Sequence, residues 1–272
     1  TLFSGAPTLF NLSLTPTITA DRTYSVGSAL TIDGDFNINP TASSLYNLTV
    51  NMGGDITASA TSTTTVTGTT SGISTLDTAS GSNYALSTGD LTITSGTFNA
   101  NDSNITFTGT SGTIFTNTGT FNEGTSLITY SQTTGGTTLT SAAVDFYDLT
   151  INMSGQIGSA GGNIGVAGAL SIDAGTLSIG DTYTLDVTGL TDITGTLSIP
   201  SSGNQTFTGA TTINSGGSFS RTSASGTNTF TGLLTISDGG EFTTTNDPAF
   251  TLQGGILNSG TFTSGAGTFT FN

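Results

Sequence analysis

The sequence predicts an all-β chain, a right-handed parallel β-solenoid (β-helix) of about twelve coils of roughly 20–23 residues each, with no helices. Three observations predict it. An apolar residue, any residue and then Gly recur along the chain, among other places at Val66-Thr67-Gly68, Phe107-Thr108-Gly109, Val166-Ala167-Gly168, Val187-Thr188-Gly189, Phe207-Thr208-Gly209, Phe230-Thr231-Gly232 and Leu252-Gln253-Gly254. From Val166 through Val187, Phe207 and Phe230 to Leu252, the apolar positions follow one another at nearly even intervals. A fixed period of this size marks a repeat in which each unit stacks on its neighbours. Lastly, Ile, Leu, Val and Phe alternate with Thr and Ser, which buries one face of every strand.

The strands are short. Leu91-Thr92-Ile93, Gly96-Thr97-Phe98 and Ile105-Thr106-Phe107 are separated by Gly, Asn, Asp and Ser. Three such strands per repeat make one coil, with corners in turn conformations that Gly and Asn adopt. No segment places apolar residues at i, i+3, i+4 and i+7 over two turns, so no helix is expected. An antiparallel sandwich would favour Asn-Gly hairpins, and that dipeptide does not occur. Handedness follows from the right-handed rule for parallel crossovers.

A longer repeat overlies the coils. Leu45 to Met52 returns as Phe146 to Met153, and Val26 to Asp33 returns as Val166 to Asp173. The expected organisation is a single solenoid, 1–272, with internal blocks 9–44 (partial), 45–145 and 146–272. Thr1 to Ala6 aligns with Thr138 to Ala143, and Gly260 to Phe271 with Gly119 to Tyr130. Both ends therefore read as mid-pattern coils without a polar cap, and the chain as a mature product or an excised segment. An uncapped coil is an array of unpaired strand edges. The expected partner is another copy of the chain, head-to-tail, joined through Thr1, Leu2 and Phe3 at one end and Phe269, Phe271 and Asn272 at the other. Twelve coils would give a rod roughly 60 Å long.

Composition narrows function. The net charge is −15, and Arg22 and Arg221 are the only basic residues. Nucleic acid, whose binding releases counterions to protein cations, is excluded, and anionic membranes are disfavoured. No apolar run reaches membrane-spanning length. There is no His and no Cys, so Ser-His and Cys-His nucleophilic systems are impossible. Glycoside hydrolysis would need paired carboxylates, and Asp33/Asp35, Asp145/Asp148 and Asp238/Glu241 are the nearby pairs. Solvated corners account for them. Asp33-Gly34-Asp35 is the one candidate for structural calcium, and turn chemistry explains it as well. The sequence thus predicts a non-enzyme with no cofactor.

Two surface features remain. Asn-x-Ser/Thr sequons include those at Asn11, Asn47, Asn104 and Asn204, and Asn11 and Asn47 fall in a repeated motif where a turn role competes with glycosylation. Thr-Phe-Thr runs place Phe inward and Thr outward, giving a candidate ice or surface face of Thr206, Thr208, Thr229, Thr231, Thr268 and Thr270, with Ala249-Phe250-Thr251 interrupting it. Ordinary β-propensity also explains these Thr residues.

Phe146-Tyr147-Asp148-Leu149-Thr150-Ile151 and Ala29-Leu30-Thr31-Ile32-Asp33-Gly34 resemble motifs of bacterial extracellular β-strand-repeat proteins, the filamentous-haemagglutinin-like and autotransporter-passenger-like β-helices. The resemblance covers nearly the whole chain. It implies a secreted bacterial protein at the cell surface and supplies no catalytic positions. Together these readings lead to a structural subunit or repeat segment of an extracellular filament that assembles end-to-end. The alternatives are a surface adhesin stalk whose partners are glycans or host surfaces, and an ice-binding protein.

Overall fold

The computed structural model describes residues 1–41, 45–69, 71–79 and 81–272. Among them are 34 strands and no helix. The strands stack as parallel coils of a β-solenoid, about twelve turns in all. The chain divides into two compact units, Thr1–Thr129 and Tyr130–Asn272. The boundary 44 expected from the repeats lies outside the described residues.

Three ladders build each coil of the second unit. The first is a seven-stranded sheet: Val144–Phe146, Ile164–Val166, Leu185–Val187, Gln205–Phe207, Thr227–Phe230, Ala249–Leu252 and Thr268–Phe271. The second runs through Thr191–Ile193, Thr211–Ile213, Leu234–Ile236 and Ile256–Asn258. The third runs through Thr196–Ile199, Ser218–Arg221, Glu241–Thr244 and Thr261–Thr263. In the earlier coils the long strands Asp148–Ser159 and Leu170–Ser178 serve both the second and third ladders, with an irregularity in register between Ile151 and Ile157.

The recurrent apolar-x-Gly pattern has a steric cause in this unit. Val166, Val187, Phe207, Phe230 and Leu252 are successive partners in the first ladder, so the intervals read from sequence are the true coil lengths. At Gly189, Gly209, Gly232 and Gly254 the backbones of adjacent coils nearly touch, and at Gly168 the Asp148 carboxylate takes that place. A Cβ on Gly189 would lie 2.2 Å from the Gly168 carbonyl oxygen, and one on Gly209 would lie 2.1 Å from that of Gly189. Only hydrogen fits between these stacked corners. Val66 and Phe107 belong elsewhere, in Thr63–Thr67 and Asn104–Phe107 of the first unit, where Gly68 is confined by the Ser95 carbonyl and Gly109 by the Asp90 carboxylate.

Aromatic side chains fill the second unit's core. Phe219 stacks on Phe242 at 4.8 Å and 1°, and Phe242 on Phe262 at 5.0 Å and 8°. Phe207 stacks on Phe230 at 4.8 Å. Ring spacing equals strand spacing, so each identical inward residue repeats the contact below it.

The first unit has a five-stranded sheet of Arg22–Val26, Leu48–Met52, Ser74–Asp77, Thr97–Asn99 and Thr120–Asn122. A second ladder joins Thr8–Leu9, Leu30–Ile32, Ile56–Ala58, Leu86–Thr88 and Asn104–Phe107. A third joins Leu12–Leu14, Phe36–Ile38, Thr63–Thr67, Asp90–Thr94 and Gly112–Asn117. Some of its coils are longer than the sequence period predicts. Leu48 pairs with Ser74 and Ile56 with Leu86, longer strides than any within the second unit's ladders, because the corners carry extra residues. The likeness of Leu45–Met52 to Phe146–Met153 is one of strand sequence and not of place. Leu48–Met52 is the first strand of its coil, whereas Leu149 pairs with Leu170 in the second ladder.

Candidate functional surfaces

Side-chain oxygens tie coil to coil at the corners. The Oδ1 of Asn11 accepts the Asp35 backbone N–H at 2.7 Å, and the Oδ1 of Asp35 accepts that of Thr63 at 2.9 Å. Asp21 accepts from Asn47, and Asn47 in turn from Ile73 at 3.0 Å. Asp55 accepts from Ala85, Asp148 from Ala169, Asn163 from Thr184 and Asn204 from Thr227. These latches occur where a strand begins and its first N–H has no ladder partner, a position where a short side chain with a carbonyl or carboxylate oxygen serves best.

The latches account for several residues singled out by sequence. Asn11, Asn47 and Asn204, three of the sequon asparagines singled out, each spend their amide oxygen on the next coil. Asp35 and Asp148, one from each of two candidate carboxylate pairs, do the same. Among the described residues no group of three or more His, Cys, Asp or Glu is placed to hold a metal, Asp33 and Asp35 included. A denser polar cluster escaped sequence reading. Asp77 accepts from the amides of Asn99 at 2.8 Å and Asn101 at 3.0 Å, and Asn122 donates to Asn99 at 2.8 Å. The pattern was invisible because its members come from successive coils, far apart in a chain rich in Asn.

Two ionisable groups stand apart, one half-buried and one fully buried. Asp90 lies in the same column as Asn11 and Asp35, but its Oδ1 lies over Gly109 and has no partner. Burial raises its carboxyl to about 6. Arg221 points into the core of the second unit, fully buried, between Ile199 and Thr244 of the neighbouring coils. Its Nη2 donates to the carbonyls of Gly203 at 3.3 Å and Ser225 at 2.5 Å, while Nε and Nη1 are unpartnered. Burial lowers its pKa to about 10.

The expected end residues divide. Thr1, Leu2 and Phe3 lie over a coil edge: the Leu2 N–H donates to the Ser25 carbonyl at 2.8 Å, and Thr1 and Phe3 crowd Gly27. Phe269 is half-buried and stacks on Phe250 at 4.8 Å and 5°. Phe271 is 61% exposed, and Asn272 is exposed.

The Thr face expected from sequence is partly out of register. Thr206, Thr229, Thr251 and Thr270 form one outward column. Thr251 continues it rather than interrupting it. Thr268 is aligned with Ala249 and Thr227, in a different column, so it does not belong. Thr208 and Thr231 follow the buried Phe207 and Phe230 and are exposed.

The third ladder carries a fuller array. Its first outward column is Thr176, Thr196, Ser218, Glu241 and Thr261. Its second is Ser178, Ser198, Ser220, Thr243 and Thr263. Between the two columns, Leu177, Leu197, Phe219 and Phe242 point inward and are fully buried, with Phe262 half-buried at the last coil. No family model, curated protein or solved structure matches this chain.

Proposed function

We propose that the chain is a structural segment of an extracellular filament, extended head-to-tail by further coils. The observation that carries this reading is the edge formed by Thr268–Phe271. That strand pairs in register with Ala249–Leu252 and continues the same aromatic stacking, so each coil of the ladder presents the edge on which the next is laid. Such an edge is a template for one more parallel strand. Whether the next coil belongs to the same polypeptide or to a second copy, the contact is the same ladder. Placement outside a bacterial cell rests on the resemblance of Phe146–Ile151 and Ala29–Gly34 to extracellular repeat proteins.

Negative-stain electron microscopy and sedimentation of the full chain over a concentration series test the reading. Thin unbranched fibres, shortened by Phe271→Asp, are expected. Because Phe271 is exposed, its replacement leaves the coils folded. A single 27.1 kDa species at every concentration would refute assembly between copies. Unassembled particles that adhere to glycans would favour the surface-stalk reading instead.

A further inference from the structure

We propose that the outward face of the third ladder in the second unit binds the surface of ice. Nine of the ten side chains in its two columns end in a hydroxyl, and Glu241 is the exception. None of those nine hydroxyls has a hydrogen-bond partner in the protein, whereas hydroxyls at the corners, such as those of Ser201 and Thr244, are used internally. Each is therefore free to act as both donor and acceptor toward something outside.

Their spacing is fixed from within. The stacked rings of Phe219, Phe242 and Phe262 hold successive coils 4.8–5.0 Å apart under the face. Along each strand, the two outward residues are separated by ~6.7 Å. The result is a rectangular net of hydroxyls, rigid in two directions. A single polymer chain has only one repeat to offer such a net, whereas a crystal face has two. An ionic crystal would call for charges, which this face lacks at all but one position.

Water ice meets the net on both axes. Two oxygens bonded to one tetrahedral water at the usual O–H···O length lie ~4.5 Å apart, and puckered layers of such waters repeat every ~7.3 Å. The coil step exceeds the first by ~0.3–0.5 Å, which accumulates to ~1.2–2 Å across the face, and the strand interval falls short of the second by ~0.6 Å. Hydroxyl rotation absorbs mismatches of this size. This proposal concerns a lateral face and does not depend on end-to-end assembly.

The test is partition of the full chain into slowly growing ice, with a non-binding protein of similar size as reference. Enrichment in the ice of at least severalfold over the reference is expected. The double variant Thr196→Lys/Ser220→Lys breaks both columns and should lose that enrichment. Thr212→Lys/Thr235→Lys, on the outward side of the second ladder, should keep it. Matching thermal melts for both variants establish that folding is intact. Exclusion of the unmodified chain from ice, or equal partition of the two variants, would overturn the proposal. Exclusion from ice with variant-sensitive retention on microcrystalline cellulose would overturn it in favour of a polysaccharide crystal face.

Discussion

Gly209→Ala puts a methyl group 2.1 Å from the Gly189 carbonyl oxygen and 2.5 Å from its carbon. Both are backbone atoms, so no side chain can swing away. The strand must move, and the Thr208 N–H bond to Val187 O at 2.8 Å lies beside the clash. Overpacking costs about 1–3 kcal/mol, and a strained ladder bond adds about 1 kcal/mol. Together these give a loss of about 3 kcal/mol. With a urea slope of about 2 kcal/mol/M, the midpoint should fall by about 1.5 M, read by far-ultraviolet circular dichroism. Two further glycines isolate the cause. Gly180 has nothing within 4 Å, so its replacement by Ala should change stability by less than about 0.5 kcal/mol. Gly216 also has open space but holds φ +82°, so Ala there should cost about 1 kcal/mol from backbone strain alone. If Gly209→Ala unfolded at the same urea concentration as Gly180→Ala, close coil approach would not be the reason for the repeated glycine.

Three other outcomes are expected. Asn47→Ala removes the acceptor for the Ile73 N–H, costing about 1 kcal/mol and speeding exchange of that amide, whereas Asn47→Asp retains protection. Asp90 holds its proton up to about 6 when folded and releases it near 3.8 when unfolded, so between these values the folded state binds more protons and stability falls as pH rises. Because the carboxyl is half-exposed the effect is below about 1 kcal/mol, and it should vanish in Asp90→Asn, as measured by urea midpoints across the acidic range up to neutrality. Arg221→Met removes a buried charge without a carboxylate partner, and thermal melts should show stabilisation of about 1 kcal/mol despite the two lost carbonyl contacts.

The coil was legible in the sequence because its strongest signal is steric. Wherever two backbones approach as at Gly189 and Gly209, every side chain but hydrogen is excluded, and the glycine spacing reports coil length directly. The first unit was harder to read. Thr64 and Thr88 point inward and bond each other at 2.9 Å, so the alternation of apolar and polar residues that marks a strand is blurred there. Thr268-Phe269-Thr270-Phe271 reads the same in two registers, and period-two patterning cannot choose between them. The pairing of Phe250 with Phe269 makes that choice. The hydroxyl net went unread because several of its members are Ser and two of its inward residues are Leu, which breaks the Thr-Phe-Thr sentence. The latches were legible only as turn residues, since sequence shows that Asn and Asp favour corners but not which coil they reach.

The eight latches all point one way. In every one, the oxygen belongs to the earlier coil and the N–H to the later. One buried contact runs the other way, the Leu185 N–H donating to the Gln205 Oε1 at 2.7 Å, but at these eight corners one side of the coil offers side-chain acceptors and the other backbone donors. Two like sides brought together would set acceptors against acceptors or leave donors unmatched. Any coil added to this stack, whatever chain it comes from, can engage the latches in one orientation only, so a polymer of such coils is polar and grows by different chemistry at its two tips.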